Sequence, residues 1–352
     1  MHVVFLTECS YEIGLGHLKR CLTLEEEFRI AGGVTTEFII FNDDEDARLI
    51  AQEKNILISS LEKSIERLLL SSRTTTVFIV DVKTNSYDKF IENLNNLKFS
   101  IFGIDDLSSR NRHYLANFSP PAAELISKTS QQSALNYIGW EWVPIASKVK
   151  TEEDLYGYFD IKDIFLFFGG SDVDRLSIPS SKFFCSEFSG YRINLICGPL
   201  MESSLLLELQ DLKSQFDNLV LHISPKEIRS CMDINAFYIT AFGHTYYELV
   251  SLGISPTLIY RSPTEIAGIK ATLSSLSIPH LSTDSYLTYL EVDGSARSKL
   301  FWEKSFKNQI HNREHIWHLS KSLMMGSQNI VNAVKTLAAN SSQKVNLGSG
   351  NV

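Results

Sequence analysis

One histidine, flanked by glycines and cations, is the first group in this sequence placed to do chemistry. The stretch "IGLGHLKR", Ile13 to Arg20, brings Gly14, Gly16, His17 and Arg20 together just past the first apolar run. Glycines at a strand-to-helix turn leave backbone N–H groups free at a helix N-terminus, where an anion is favoured. An imidazole beside that turn can exchange a proton near neutral pH. The same residues also suit an ordinary turn in which His17 simply occupies the first turn of an amphipathic helix.

Three further loops bear on that choice. "FFGGSD" sets Gly169, Gly170 and Ser171 after an apolar run, with a serine suited to cap the next helix and amides free for a phosphate. "TAFGHTYYEL" holds Gly243, His244, Thr245 and Glu248. Thr245 and Glu248 lie one turn apart on a single helix face, a hydroxyl for phosphate and a carboxylate for ribose hydroxyls, although a capping box uses the same residue types. "FGIDDLSS" ends an apolar run in Asp105 and Asp106, a pair suited to a sugar, to a cation or to capping the next element.

For such loops to meet, the elements between them must alternate. Apolar runs of strand length recur at Val3 to Leu6, Glu37 to Phe41, Thr76 to Asp81 and Ser100 to Ile104, separated by helical periodicity such as "RCLTLEEEFRIAG". After the polar stretch "SKVKTEEDLYGY" a second series comes at Ile164 to Phe168, Ile193 to Ile196, Leu219 to Ile223, Ala236 to Ile239 and Pro256 to Tyr260. This alternation predicts an α/β chain of βαβ units on parallel sheets, in two Rossmann-like domains over residues 1–150 and 151–340. Residues 341–352 read as a frayed tail. Ligands of doubly wound sheets bind at the carboxyl ends of the strands, so a ligand cleft between the two domains is expected, with His17 facing it.

Residues 284–325 are charged and aromatic and carry no strand signal. Their histidines, His311, His315 and His318, include a pair four apart that would suit a metal on a helix. No third acidic or thiol ligand accompanies them, and a solvated helical face explains the pattern, so neither a metal nor a cofactor is expected.

The chain has 352 residues, 44% hydrophobic and 21% charged, enough to build two apolar cores. Its formal net charge of -8, with no basic stripe, argues against a nucleic-acid partner. The five cysteines, Cys9, Cys21, Cys185, Cys197 and Cys231, are widely spaced without a CxxC pair and read as reduced thiols. The opening "MHVVFLTE" is too short and too quickly acidic for a signal peptide, and no apolar run approaches the ~20 residues of a membrane span. Cytoplasmic residence is expected, and no feature specifies an oligomeric state.

In order and spacing these loops resemble the PseG family, UDP-2,4-diacetamido-2,4,6-trideoxy-β-L-altropyranose hydrolases of pseudaminic acid biosynthesis, and the related spore-coat polysaccharide proteins of GT-B architecture. The family's I-G-x-G-H-x-x-R-C-L-x-L is matched by Ile13, Gly14, Gly16, His17, Arg20, Cys21, Leu22 and Leu24. Its I-D-D-L falls on Ile104 to Leu107, its FGGSD on Phe168 to Asp172 and its GP on Gly198 and Pro199. Its nucleotide loop is matched by Gly243, Thr245, Glu248, Leu252 and Gly253. The family's D-H-Y stretch appears as Asp81, Val82 and Lys83, and its Asn-Gln pair as Glu265 and Ile266. Asp81, Lys83 and Glu265 are thereby aligned with the sugar pocket, with two departures from the family's hydrogen-bonding groups.

The resemblance implies a nucleotide-sugar hydrolase in which the C-terminal domain grips UDP. His17 would act as general base on a water that attacks the anomeric carbon with inversion. Arg20 and the helix N-termini at "GGSD" and "GHT" would meet the diphosphate without a metal. Two other readings stay open. One is a GT-B glycosyltransferase passing a related sugar to an acceptor in surface polysaccharide or flagellin modification, with residues 284–325 as acceptor platform. The other is a non-catalytic sugar-nucleotide binder.

Overall fold

The computed structural model describes residues 1–11, 13–41, 76–106, 108–121, 135–146, 161–225, 228–233, 235–263, 266, 269–275, 278–290 and 296–348. They form two compact units, Met1–Lys148 with Ser322–Val352, and Val149–Lys321.

The first unit is built on six parallel strands, β1 (His2–Glu8), β2 (Thr35–Phe41), β3 (Thr76–Asp81), β4 (Ser100–Ile104), β5 (Ala116–Ser119) and β6 (Leu135–Ile138), in the order β2-β1-β3-β4-β5-β6. All six residues of β3 are buried, the near-continuous apolar run of a strand covered on both faces. Helix α1 (Gly16–Ile30) lays Leu18, Cys21, Leu24 and Phe28 against this sheet, where Phe5 meets Phe28 edge-on and stacks on Phe38 at 4.8 Å. Helix α2 (Asp88–Asn96) contributes Ile91 and Leu94 to a cluster with Val4, Leu6, Phe78, Val80 and Ile101.

Because β1 has β2 on one side and β3 on the other, successive crossovers leave it in opposite directions. Their connections diverge at the carboxyl ends of β1 and β3, and that crevice is where doubly wound sheets take their ligands.

The second unit repeats the plan with β7 (Asp163–Phe167), β8 (Arg192–Cys197), β9 (Leu219–Ile223), β10 (Phe237–Ala241), β11 (Thr257–Tyr260) and β12 (His280–Ser282), in the order β12-β11-β10-β7-β8-β9. Its crossover helices are α3 (Ser177–Glu187), α4 (Ser203–Gln215), α5 (His244–Ser251) and α6 (Lys270–Ser275). The switch point here lies between β7 and β10, so the loops carrying Gly169 and Gly243 leave adjacent strands.

The described residues of the region without strand signal form three helices, α7 (Thr283–Leu290), α8 (Ala296–His311) and α9 (Arg313–Met324). It belongs to the core. Trp302 is fully buried against Phe184 and Tyr286, and the Gln309 amide exchanges hydrogen bonds of 2.9 Å with both backbone groups of Tyr238.

Helix α10 (Gly326–Gly348) continues through most of the segment read from sequence as a frayed tail, and it packs on the first unit. Ile330, Val331, Val334 and Ala338 form its buried stripe. Ser327 Oγ donates to the Ile145 carbonyl at 2.7 Å, and the Lys335 ammonium donates to the Ala31 carbonyl at 3.0 Å. The units divide between Lys148 and Val149, and residues 322–340 group with the first unit.

Candidate active site

The loop after β1 is shaped by Ser10 and Gly14. The Gly14 N–H donates to the Ser10 carbonyl at 2.7 Å, and Gly14 has φ +80°, a left-handed conformation that glycine adopts without Cβ strain. The turn delivers the chain into α1 at Gly16, one residue before His17, so the imidazole stands at the carboxyl end of β1 beside β3.

Asp81, the last residue of β3, meets it there. His17 Nδ1 lies 2.6 Å from Asp81 Oδ1. A carboxylate has no proton to give, so the contact places a proton on Nδ1, and in the neutral ring the lone pair is then on Nε2. Nε2 has no hydrogen-bond partner among the described residues, and the side chain is 18% exposed.

Arg20, one turn along α1, makes a fork on the same carboxylate, Nε to Oδ2 at 2.8 Å and Nη2 to Oδ1 at 2.6 Å. Its Nη1 reaches Asp105 Oδ2 at 3.3 Å. Arg20 Nη2 also lies 3.0 Å from His17 Nδ1, where both groups are donors and both point to Asp81. Burial alone would raise the Asp81 carboxyl, but the adjoining Arg20 and His17 outweigh it and hold it below the usual range. Burial opposes the Arg20 charge, and the two aspartates hold the guanidinium charged against it. Arg20 therefore spends its donors on protein carboxylates and positions the pair.

Asp105 and Asp106 part company. Asp106 turns inward, accepting from Tyr114 Oη at 2.5 Å and from Arg110 Nε at 3.0 Å. Asp105 takes φ +52° and keeps its side chain 31% exposed beside Arg20. Burial moves its carboxyl up, Arg20 pulls it down and Asp81 pushes it up again, with a net displacement upward. Asp105 Oδ1 has no partner among the described residues. Lys83, aligned with the pocket by sequence, is exposed just past the end of β3. Glu265 lies outside the described residues, and Ile266, aligned beside it, is fully buried in the core of its unit.

Two residues that sequence reasoning passed over hold the segment after Asp81. Glu8, the last residue of β1 and fully buried, accepts from the backbone N–H groups of Lys83 and Thr84 and from the Thr84 hydroxyl at 2.9 Å. Arg110 donates to the carbonyls of Val82 and Thr84. Their partners are distant in sequence, and neither residue stands in a spacing that announces a site.

In the second unit Gly169 turns the chain after β7 at φ +96°. Gly198 approaches Gly170 so closely that a Cβ would collide with the Gly170 carbonyl, and the Leu200 N–H donates to that carbonyl at 3.0 Å. The next helix is capped by Asp172, not by Ser171. The Asp172 carboxylate accepts from the N–H groups of Leu176 and Ser177 at 2.9 Å each. Asp172 thus supplies the negative charge at the start of α3, and the amides of Gly169, Gly170 and Ser171 lie in the turn that precedes it. Gly243 precedes α5 with no side-chain cap, His244 and Thr245 open the helix, and Glu248 follows Thr245 on its face.

Among the described residues no group of three or more His, Cys, Asp or Glu side chains is arranged to hold a metal ion. His311 closes α8, and His315 and His318 lie on α9. No helix of the described residues is long and apolar enough to cross a membrane. The five cysteines are all free.

No protein-family model matches the sequence. An uncharacterized protein of Methanocaldococcus jannaschii is 22% identical over 295 residues, which is 80% of this chain and 60% of that protein. The chain thus spans about three-fifths of the length of that relative. Among solved structures, MurG of Acinetobacter baumannii superposes with TM-score 0.60 at 10% identity, covering 96% of this chain and 100% of that one. S. aureus MnaA, solved with UDP, gives 0.58 at 11% identity over 95% of this chain and 96% of its own. The UDP-GlcNAc 2-epimerase of Methanocaldococcus jannaschii gives 0.56 at 14%, over 96% and 100%. With two doubly wound parallel sheets and these neighbours, the chain has the GT-B fold.

Proposed function

We propose that the protein is a cytoplasmic UDP-sugar hydrolase acting on a UDP-linked deoxy amino sugar, in pseudaminic-type acid biosynthesis as the PseG resemblance implies. The observation that carries the reading is the His17–Asp81 pair at the β1/β3 switch point, with Nε2 free of any hydrogen-bond partner among the described residues. In the proposed reaction Nε2 takes a proton from water as its oxygen bonds to the anomeric carbon. The bond from that carbon to the phosphate oxygen breaks with inversion, and its electron pair leaves on UDP. Asp81 holds the ring in this tautomer and stabilises the imidazolium that forms.

The nucleotide is assigned to the second unit, with the amides of Gly169, Gly170 and Ser171 and the start of α5 for the diphosphate, Thr245 beside them, and Glu248 for the ribose hydroxyls. MnaA, of the same fold, was solved with UDP, which supports a uridine nucleotide as ligand. In the first unit the open Asp105 Oδ1 is assigned to a hydroxyl or amide N–H of the sugar.

Incubating the protein with UDP-sugars, with and without acceptor alcohols, and following UDP release tests the proposal. Release into water alone is the expected result. Release only with an acceptor would make the protein a glycosyltransferase, and binding without release a sugar-nucleotide binder. Glu248→Ala should weaken UDP binding by roughly 1.5–3 kcal/mol in calorimetry, the range for hydrogen bonds to a charged group.

A further inference from the structure

The β1–β3 ladder runs in register from His2 opposite Thr76 to Thr7 opposite Asp81 and ends there. Beyond it the two chains diverge, β1 into the turn that leads to His17 and β3 into residues 82–88. Backbone pairing can no longer hold them together at the point where the His17–Asp81 contact needs them fixed. Glu8, one residue past the last ladder pair, fills that gap. Its buried carboxylate accepts from the N–H groups of both residues at 83 and 84 and from the Thr84 hydroxyl. On the carbonyl side of the same segment Arg110 donates to Val82 and Thr84, and it is itself tied to Asp106 at 3.0 Å and Asp88 at 3.2 Å.

We propose that Glu8 is a positioning residue for the reaction, extending the β1–β3 pairing by one side chain so that Asp81 is held at the distance that fixes His17 in its Nδ1–H tautomer. Two buried ionic groups act from opposite sides on the backbone of residues 82–84, although Lys83 itself is exposed and contributes nothing to a core. Without the carboxylate Asp81 sits at a frayed strand end, answerable only to Arg20 and His17. The imidazole then samples both tautomers and more than one ring orientation. Partners that orient a functional side chain in this way matter through the geometry they impose; around metal-ligating histidines, where the same device is used, removing them lowers activity by roughly ten- to a hundredfold.

The inference rests on the catalytic assignment of His17, and its test has a readout that does not need turnover. In 15N-resolved NMR of the imidazoles the wild type should show His17 protonated on Nδ1 at neutral pH. Glu8→Ala should lose that tautomer preference. It should also lower kcat for UDP release from the diacetamido sugar about tenfold or more, with the affinity for UDP alone unchanged. Glu8→Gln, which keeps an acceptor oxygen for the two N–H groups and can donate to the Thr84 hydroxyl, should restore the Nδ1–H signature and most of the turnover. If Glu8→Ala does not fold, Thr84→Val removes one of the hydrogen bonds without burying a charge and should shift the His17 signal in the same direction. A wild-type His17 signature in folded Glu8→Ala or, failing that, in Thr84→Val overturns the positioning role. Absence of UDP release from every UDP-sugar by the wild type, with the tautomer still responding to Glu8, overturns the hydrolase reading and leaves the positioning role standing.

Discussion

Asp81 Oδ1 and His17 Nδ1 are 2.6 Å apart although 64 positions separate them in the chain. The contact exists because β1 and β3 are neighbours, and it turns the Nδ1 edge of a part-buried imidazole toward the carboxylate.

His17→Ala should therefore leave UDP affinity nearly intact while turnover falls roughly a hundred- to ten-thousand-fold, the loss expected for a general base. UDP release followed on the purified variant checks this. Turnover at the wild-type level would remove His17 from the mechanism.

Asp81→Asn strips Arg20 of its fork and should destabilise the protein by about 3–5 kcal/mol, the usual cost of leaving a buried charge without its partner. The sign of the pH dependence comes from the lowered carboxyl: the native state binds fewer protons than the unfolded chain through the acid range. The contribution of Asp81 is fully present above the ordinary aspartate pKa of about 3.9 and is lost as pH falls through the lower native value. Denaturant midpoints of wild type and variant, compared at neutral pH and down into acid, should converge; a gap that stays constant contradicts the assignment.

Asp105→Asn should do the reverse. Burial holds this carboxyl above its ordinary value, so its ionised form costs stability at neutral pH, and the penalty fades as pH falls and the carboxyl protonates. Asn also accepts the left-handed backbone at this position. The variant should unfold at a higher temperature than wild type at pH 7, with the difference shrinking in acid, while its KM for the UDP-sugar rises. A lower unfolding temperature at every pH would show the Arg20 contact to be the larger effect.

Gly198→Ala puts a methyl against the Gly170 carbonyl, a backbone atom with no rotamer by which to escape. The turn at residues 169–171 should move, and calorimetry should show weaker UDP binding, with His17 in the other unit unaffected. Unchanged UDP affinity would place the diphosphate elsewhere.

The strands expected from apolar runs stand within two residues of where periodicity put them, because buried parallel strands are uniformly apolar and bounded by polar turns. His17 was legible for the same reason: a glycine-framed turn directly after a strand is a local signal. Asp81 was reached only through alignment with a family pattern, and Glu8 and Arg110 not at all. Their roles depend on the register of β1 against β3 and on a loop folding back, which no local spacing encodes. Ser171 was the expected cap, yet the neighbouring Asp172 takes the part. Which of two adjacent polar residues faces the helix is settled by a left-handed φ of 50° at Asp172. The short strands β5, β6 and β12 have too few apolar residues to stand out, and their pairing comes from the sheet already formed beside them.

Helix α10 packs beside α1 in the first unit, although all of the second unit lies between it and residues 1–148 in the chain. Synthesis therefore delivers the parts out of order. As the chain leaves the ribosome, the second unit is the first whose residues have all emerged, while the first waits with its α10-facing side uncovered. A chain cut after Lys321 should accordingly keep Val149–Lys321 resistant to protease and leave residues 1–148 readily cleaved. The unit that carries His17 would be the last to be finished.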